Sequence, residues 1–485
     1  MKEVVRDDIS KNLDENIQYL KELLKGNSDI VFREFYINDT KALLMYIDGM
    51  GDKVLLNNFV LETLMFNWKE LGIEEIKDKI LTVTDLKELE KLSKGINGVL
   101  SGDTMLLIHG METCYVIGSR FWPTRGVTEP SRETVIRGGR DGFTETIRFN
   151  TALVRRRIRD TRLRVVPKTL GARSKSDVAI MYIEDIAENH IVEDVLDRIE
   201  KIDIDAVLDS GYVEQLIEDN KWSIFPQTQN TERPDVVAAA LYEGRVAILV
   251  DNSPFAIVVP ATLPNLFQSP DDYYQRWMYG SILRLIRFLS IIISIILPAM
   301  YVATTSFHPS IIPTQLALFV AAAREGVPFP AFMEAIIMEI SLALLTEAVI
   351  RLPKAIGATI GIVGGLIIGQ AAVSAGIVSP IMIIIVSLTT ITSFTTPSYE
   401  ITSAFRIIRF LLIISASIMG LYGIVICLLM ILVHLIRLKS FGVPYLSPFV
   451  NINKKDFKDM IIRFPLRFIK ERPEYMGTKD KIRQK

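Results

Sequence analysis

Residues 288–436 of this 485-residue chain are mostly aliphatic, while its charges crowd residues 1–287 and the C-terminal tail. A chain with 23% charged residues and a mean hydropathy of +0.29 meets both figures only by segregating the two kinds of side chain. Several apolar stretches in the second half reach the length needed to cross a hydrocarbon core of ~30 Å. The chain is also too long for one ordinary core. The pattern therefore implies an α/β soluble N-terminal region of two subdomains, followed by an all-α multi-spanning membrane domain.

The soluble region opens with a helix in residues 1–27, whose apolar residues fall at helical spacing and stop at Gly26-Asn27. A first α/β subdomain over 28–122 holds a strand at 41–48, a helix at 57–71 and a hairpin through His109-Gly110. Residues 123–165 read as a Pro- and Gly-punctuated linker leading into a basic helix at about 143–160. A second α/β subdomain, 166–275, carries strands at 177–183, 245–250 and 255–260, with helices near 190–201 and 210–219. The two subdomains share a mixed strand–helix composition, and no sequence repeat links them. The membrane domain runs from 276 to 440 and a basic cytoplasmic tail from 441 to 485.

Within the membrane domain, 288–307, 355–375, 378–396 and 410–436 read as crossings. The 311–323 stretch is bracketed by prolines and reads as re-entrant or interfacial. Residues 333–350 carry Glu334, Glu339 and Glu347, so that helix faces protein, water or the interface. Basic residues flank both ends of the domain, which places both ends in the cytoplasm and requires an even number of crossings. Four crossings satisfy this, and five is the alternative.

The sharpest physical signal is a glycine ladder, Gly357, Gly361, Gly365 and Gly369 with Gly364 beside it, on one helix. Such a face lets another backbone approach closely in lipid. The helix packs either inside its own subunit or against symmetry mates around an axis. In the second case Ile360, Val363, Ile367 and Gln370 line or gate a hydrophobic constriction. Glu334, Glu339 and Glu347 are candidates for a cation path, or else pair with Arg324, Arg351, Arg406 or Arg409.

The basic run around Arg155-Arg156-Arg157 reads as contact with acidic partners or anionic lipid, or as a solvated helix face with local ion pairs. A net charge of -1 and the absence of zinc-finger or RNP spacing argue against nucleic acid. Two distant cysteines and four scattered histidines form no metal-ligand pattern, and no cofactor is implied. Phosphate-loop, dinucleotide and nucleophile-elbow signatures are missing from the sequence, so no catalytic residues are expected.

Several strings make the chain familiar. They include Arg140-Asp141-Gly142-Phe143, Asn150-Thr151-Ala152-Leu153-Val154-Arg155, Asn230-Thr231-Glu232-Arg233-Pro234-Asp235 and Gln268-Ser269-Pro270-Asp271-Asp272. In the membrane region Val327-Pro328-Phe329-Pro330, Gly361-Ile362-Val363-Gly364-Gly365 and Ile368-Gly369-Gln370-Ala371-Ala372 join them. Taken in this order, the strings resemble the GerA family of spore germination proteins, in particular its receptor A subunits. The resemblance implies a multi-pass protein of the spore inner membrane whose soluble region faces the spore core. It further implies a transporter-like B subunit, thought to hold the nutrient, and a lipoprotein C subunit as partners. The A subunit itself is expected to form a homo-oligomer in membrane lipid that acts as a nutrient-gated ion channel. A related sporulation membrane protein, or a non-conducting scaffold that assembles germination partners, is the alternative.

Overall fold

Ile30–Ile37 and Thr40–Ile47 pair antiparallel across a turn of Asn38 and Asp39. Asn38 adopts φ 47, the left-handed value that a tight hairpin turn needs and that asparagine tolerates. Thr104–Ile108 and Cys114–Ile117 continue this sheet, and Leu86–Leu89 closes its far edge, every pairing being antiparallel. Helices Leu13–Leu23 and Leu92–Leu100 cover one face, packing Leu13, Leu20, Ile96 and Val99 on Met45 and Leu107. The other face receives Leu56, Val60 and Leu64 from the helical stretch 53–66, which includes a π-helical turn over Leu56–Leu61. Burial on both faces makes the Thr104–Ile108 strand an almost unbroken apolar run instead of an alternation.

The structure is a computed structural model and describes residues 5–66, 76, 80–121, 129–130, 133–450 and 456–484. The chain forms two compact units: Met1–Lys221 with Thr228–Pro260 and Lys470–Lys485, and Trp222–Gln227 with Ala261–Ile469.

The first unit contains a fold repeat that the sequence hides. Strands Leu163–Leu170, Ser176–Ile183, Gln229–Thr231, Val246–Val250 and Ala256–Val259 form a second five-stranded sheet. Its spatial order is first, second, fourth, fifth, third, as in the first sheet, and it too is antiparallel throughout. Helix Ile147–Arg157 precedes it as Leu13–Leu23 precedes the first sheet, and Pro234–Tyr242 matches Leu92–Leu100. The pairs Leu92 and Pro234, Thr104 and Val246, and Cys114 and Ala256, each opening matching elements, share one sequence separation. At that same separation Gly102 and Gly244 both have positive φ, as do Gly110 and Asn252. Few side chains match, but the backbone turns are kept.

The basic helix is shorter than expected, Ile147–Arg157, and its arginines are paired inside the chain. Arg155 is buried, donating to both carboxylate oxygens of Asp29 and to Asn27 Oδ1 at 2.8 Å. Asn27 also bridges to Val165, so this helix binds the first repeat to the second. Arg148 pairs with Asp48, Arg162 with Asp160 and Asp185, and Arg164 with Glu184.

The helix expected over 57–71 begins earlier, with Asp52 capping Lys53–Leu55, and its last residues lie outside the described ones. Residues 123–128 and 131–132 of the expected linker lie outside them too. The basic tail divides: Arg472 Nε donates to the Tyr242 carbonyl (2.7 Å) and Lys479 Nζ to Asn189 (2.6 Å), both within the first unit.

In the second unit the helices are Trp277–Ser306, Thr314–Arg324, Ala331–Arg351, Lys354–Ser374, Pro380–Ser393 and Tyr399–Arg437. Trp277–Ser306 and Tyr399–Arg437 are long and apolar enough to cross a membrane. Pro380–Ser393, where a crossing over 378–396 is expected, has 14 residues and so spans only ~21 Å.

Arg155→Ala leaves Asp29 buried without its counter-charge and should cost roughly 3–5 kcal/mol. The expected outcome is a lower urea midpoint for the full chain in detergent. Arg155→Met combined with Asp29→Leu should restore most of it, since both charges then leave together.

Candidate functional site

The buried carboxylates of the helical unit each meet an arginine. Asp272, fully buried, accepts from Arg284 Nε (2.9 Å) and Arg287 Nη1 (3.1 Å), and Arg284 also reaches Asp459 at 2.9 Å. Arg463 donates to the Gln275 carbonyl, and the Arg463 carbonyl accepts from Ser281, so 456–469 packs along the start of Trp277–Ser306.

Deeper in the unit, Arg409 donates to both oxygens of Glu339 (3.1 and 2.9 Å) and to Ser294 Oγ at 2.9 Å. One guanidinium thus ties Tyr399–Arg437 to Ala331–Arg351 and Trp277–Ser306. Glu334 takes Arg324 Nε at 3.1 Å on one oxygen and the Ser379 N–H at 2.7 Å on the other. Each set neutralises a charge whose isolated burial in lipid costs at least ~2.5–3.5 kcal/mol.

These sets decide where the carboxylates of the candidate cation path lie. Glu334 and Glu339 are buried, each against an arginine. Glu347 is exposed and pairs with Arg351 one turn along its own helix. Within one chain the three do not share a surface, and each already faces a cation.

The glycine ladder lies on Lys354–Ser374, which forms a hairpin with Ala331–Arg351 through Leu352-Pro353. A Cβ at Gly357 would stand 3.0 Å from the Val349 carbonyl oxygen, and one at Gly364 3.0 Å from a Leu345 methyl. Gly361 faces Val349, Gly365 faces Leu345 and Gly369 faces Ile383. The ladder is therefore a seat for the side chains of neighbouring helices in the same chain. The residues between the glycines point elsewhere: Ile360, Val363 and Ile367 are 39%, 46% and 58% exposed, and Gln370 is exposed too. Among the described residues of this helix only Gly357 is buried.

A second feature went unread in the sequence. Tyr399–Arg437 is broken at Gly420, whose φ of 59 and ψ of -136 are not helical. Only glycine fits there: the backbone is left-handed, and a Cβ would stand 2.9 Å from both the Phe307 Cβ and His308 Nε2. The signal available in the sequence was the excess length of the last apolar run.

In the soluble unit the recognised strings converge on one another. Asp141 accepts from Arg157 at 2.7 Å, the Gly139 carbonyl accepts from Arg233 at 2.9 Å, and Phe143 N–H donates to the Glu232 carbonyl at 2.8 Å. Asn150 closes a loop on Thr144. Cys114 is a free, buried thiol pushed up to about 12 by desolvation, which removes it from thiolate chemistry near neutral pH. Among the described residues no group of three or more His, Cys, Asp or Glu could hold a metal ion.

Comparison with known proteins agrees with this arrangement of strings. Residues 18–475 match the family described as Bacillus/Clostridium GerA spore germination protein. Spore germination protein B1 of Bacillus subtilis (strain 168) is 44% identical over 487 residues, covering 98% of this chain and 100% of the relative. Spore germination protein GerLA of Bacillus cereus is 42% identical over 478 residues, covering 98% and 97%. Among solved structures, the N-terminal domain of the A subunit of the Bacillus megaterium spore germinant receptor GerK3 aligns with a TM-score of 0.43 at 35% identity. That alignment covers 54% of this chain and 99% of that one. With a family match that spans both the paired soluble sheets and the charge-matched helices, this chain belongs to the GerA spore germination protein family.

Proposed function

We propose that this chain is the A subunit of a nutrient germinant receptor, and that copies of it ring an axis in the spore inner membrane to form a gated ion channel. The observation that carries the proposal is the two-sidedness of Lys354–Ser374. Its glycine face is filled by Leu345 and Val349, while Ile360, Val363 and Ile367 are left uncovered in the single chain. Repeated about an axis, that uncovered stripe makes a narrow apolar constriction, which closes to ions by dewetting. Gln370 sits one turn beyond Ile367 on the same helix. Partners of the transporter-like and lipoprotein kinds, the B and C subunits, supply the nutrient signal by binding one conformation of this chain more tightly than another. The soluble unit faces the spore core, with several helices of the second unit crossing the membrane.

Lipid tails cover an apolar stripe equally well, and that observation supports a rival reading as a non-conducting scaffold. Ion release from dormant spores separates the two. Val363→Ala widens the constriction and should give premature cation loss without nutrient, at unchanged protein level. Wild-type retention and wild-type germination would favour the scaffold.

The pairing of Glu339 with Arg409 generates a second expectation. Glu339→Gln alone strands a buried guanidinium, at roughly 3–5 kcal/mol, and should lower the amount of protein in the spore membrane. Glu339→Leu with Arg409→Met should restore that amount. If Glu339 serves only to hold helices together, nutrient-triggered ion release returns with it. If Glu339 lines the ion path, the protein returns and the release does not.

A further inference from the structure

The break at Gly420 leaves a groove along the outer side of the last helix. Its volume is about 510 Å3, within the range of small-molecule sites. Trp222 and Phe225 form one wall and Ile418, Met419, Met430 and His434 much of the other. The side chains are aliphatic, aromatic or thioether nearly throughout, and the one titratable ring lies at the C-terminal end, where His434 Nε2 meets Ser223 Oγ at 3.0 Å. Phe225 stacks on that ring, with centroids 6.0 Å apart.

Past the polar end lie two cations. Arg437 continues the lining stripe one turn past His434, and Lys439 follows two residues later. Both are exposed, and neither has an ion pair among the described residues, unlike Arg284, Arg324 and Arg409 in the same unit. Trp222, next in sequence to the Ser223 that holds His434, is 95% exposed. An exposed indole in the groove wall and exposed cations past its end are the side-chain set of a membrane–water interface. Along the groove Ile418, Met419, Ile426 and Met430 alternate with the smaller Ser415, Gly423 and Cys427.

We infer that this groove binds a membrane phospholipid with an anionic head group. The acyl chain lies along Ile418, Ile426 and Met430, and the phosphate is held by Arg437 and Lys439. The inference needs only that the helix spans a membrane and is independent of the channel reading.

The test is native mass spectrometry of the full chain in detergent micelles with equal phosphatidylglycerol and phosphatidylcholine. Wild type should retain phosphatidylglycerol preferentially. The Arg437→Ala, Lys439→Ala double variant should lose about thirtyfold of that preference, as expected for removing two cations at a membrane surface. Met430→Trp fills the groove and should abolish retention of both lipids. Ile426→Trp serves the same purpose should Met430→Trp fail to fold by circular dichroism. Equal retention of the two lipids by wild type would overturn the inference, as would unchanged retention in the filled variant. A photo-cross-linker at position 430 should join to lipid in spore membranes. Joining to a second copy or to another protein would also overturn the inference and assign the groove to a helix.

Discussion

A guanidinium in an apolar medium has to be matched where it stands, and the arrangement of the helical unit follows from that requirement at Arg409. Glu339 supplies the charge and Ser294 one further acceptor, so three helices far apart in sequence are fixed in register by one side chain. An aliphatic contact could not do this, because in lipid two apolar faces are no better together than apart. Arg324, Glu334 and the Ser379 N–H repeat the arrangement for the Pro380–Ser393 helix. Near the start of Trp277–Ser306, Asp272, Arg284 and Asp459 repeat it for the returning tail. Each set is weak evidence for net stability, since buried pairs lose hydration as they gain attraction, but each removes alternative packings in which a charge stays unmatched.

The soluble unit meets a related requirement with backbone. Two small sheets of one topology are joined through Arg155, whose partners Asp29 and Asn27 belong to the first repeat while its helix leads into the second. The recognised strings around Asp141, Asn150 and Arg233 are tied by hydrogen bonds within the chain. They form parts of one joint.

The sequence made the segregation of the chain legible, along with the soluble α/β class, most of the long helices and the set of arginines available to the glutamates. It did not make the pairing legible, because Glu339 and Arg409 meet only once three helices are packed. Leu92–Leu100 was hidden by Gly95 and Gly98, which lower helix propensity. Gly95 is there because a Cβ would come within 2.5 Å of Met105 Sδ and 2.9 Å of Cys114 Sγ. Leu163–Leu170 was hidden by Pro167, which is tolerated because that strand is the sheet edge. The repeat was hidden because its conserved quantity is backbone: Gly110 answers to Asn252, and Met105 to Ala247. The uncovered face of the glycine helix was open to sequence reasoning, but its direction relative to the ladder was not.

Where the helical unit can move follows from where its anchors stop. On Ala331–Arg351 the buried residues are Ala331, Glu334, Ala335, Met338 and Glu339, all in the first half. Beyond Glu339 the helix keeps Leu342, packed against the core, and the exposed pair of Glu347 with Arg351, and an exposed ion pair adds little. The glycine ladder then fastens Lys354–Ser374 to this half, through Val349 at Gly357 and Leu345 at Gly364. The far end of Lys354–Ser374 has its own anchor, with Ala372 and Val373 on the core and Gly369 against Ile383. A change that shifts Val363 must carry Leu345 and Val349 with it, because the close approach at Gly357 leaves no room to slide. On the channel reading, differential binding by a partner to this hairpin would reach the apolar stripe through Leu345 and Val349.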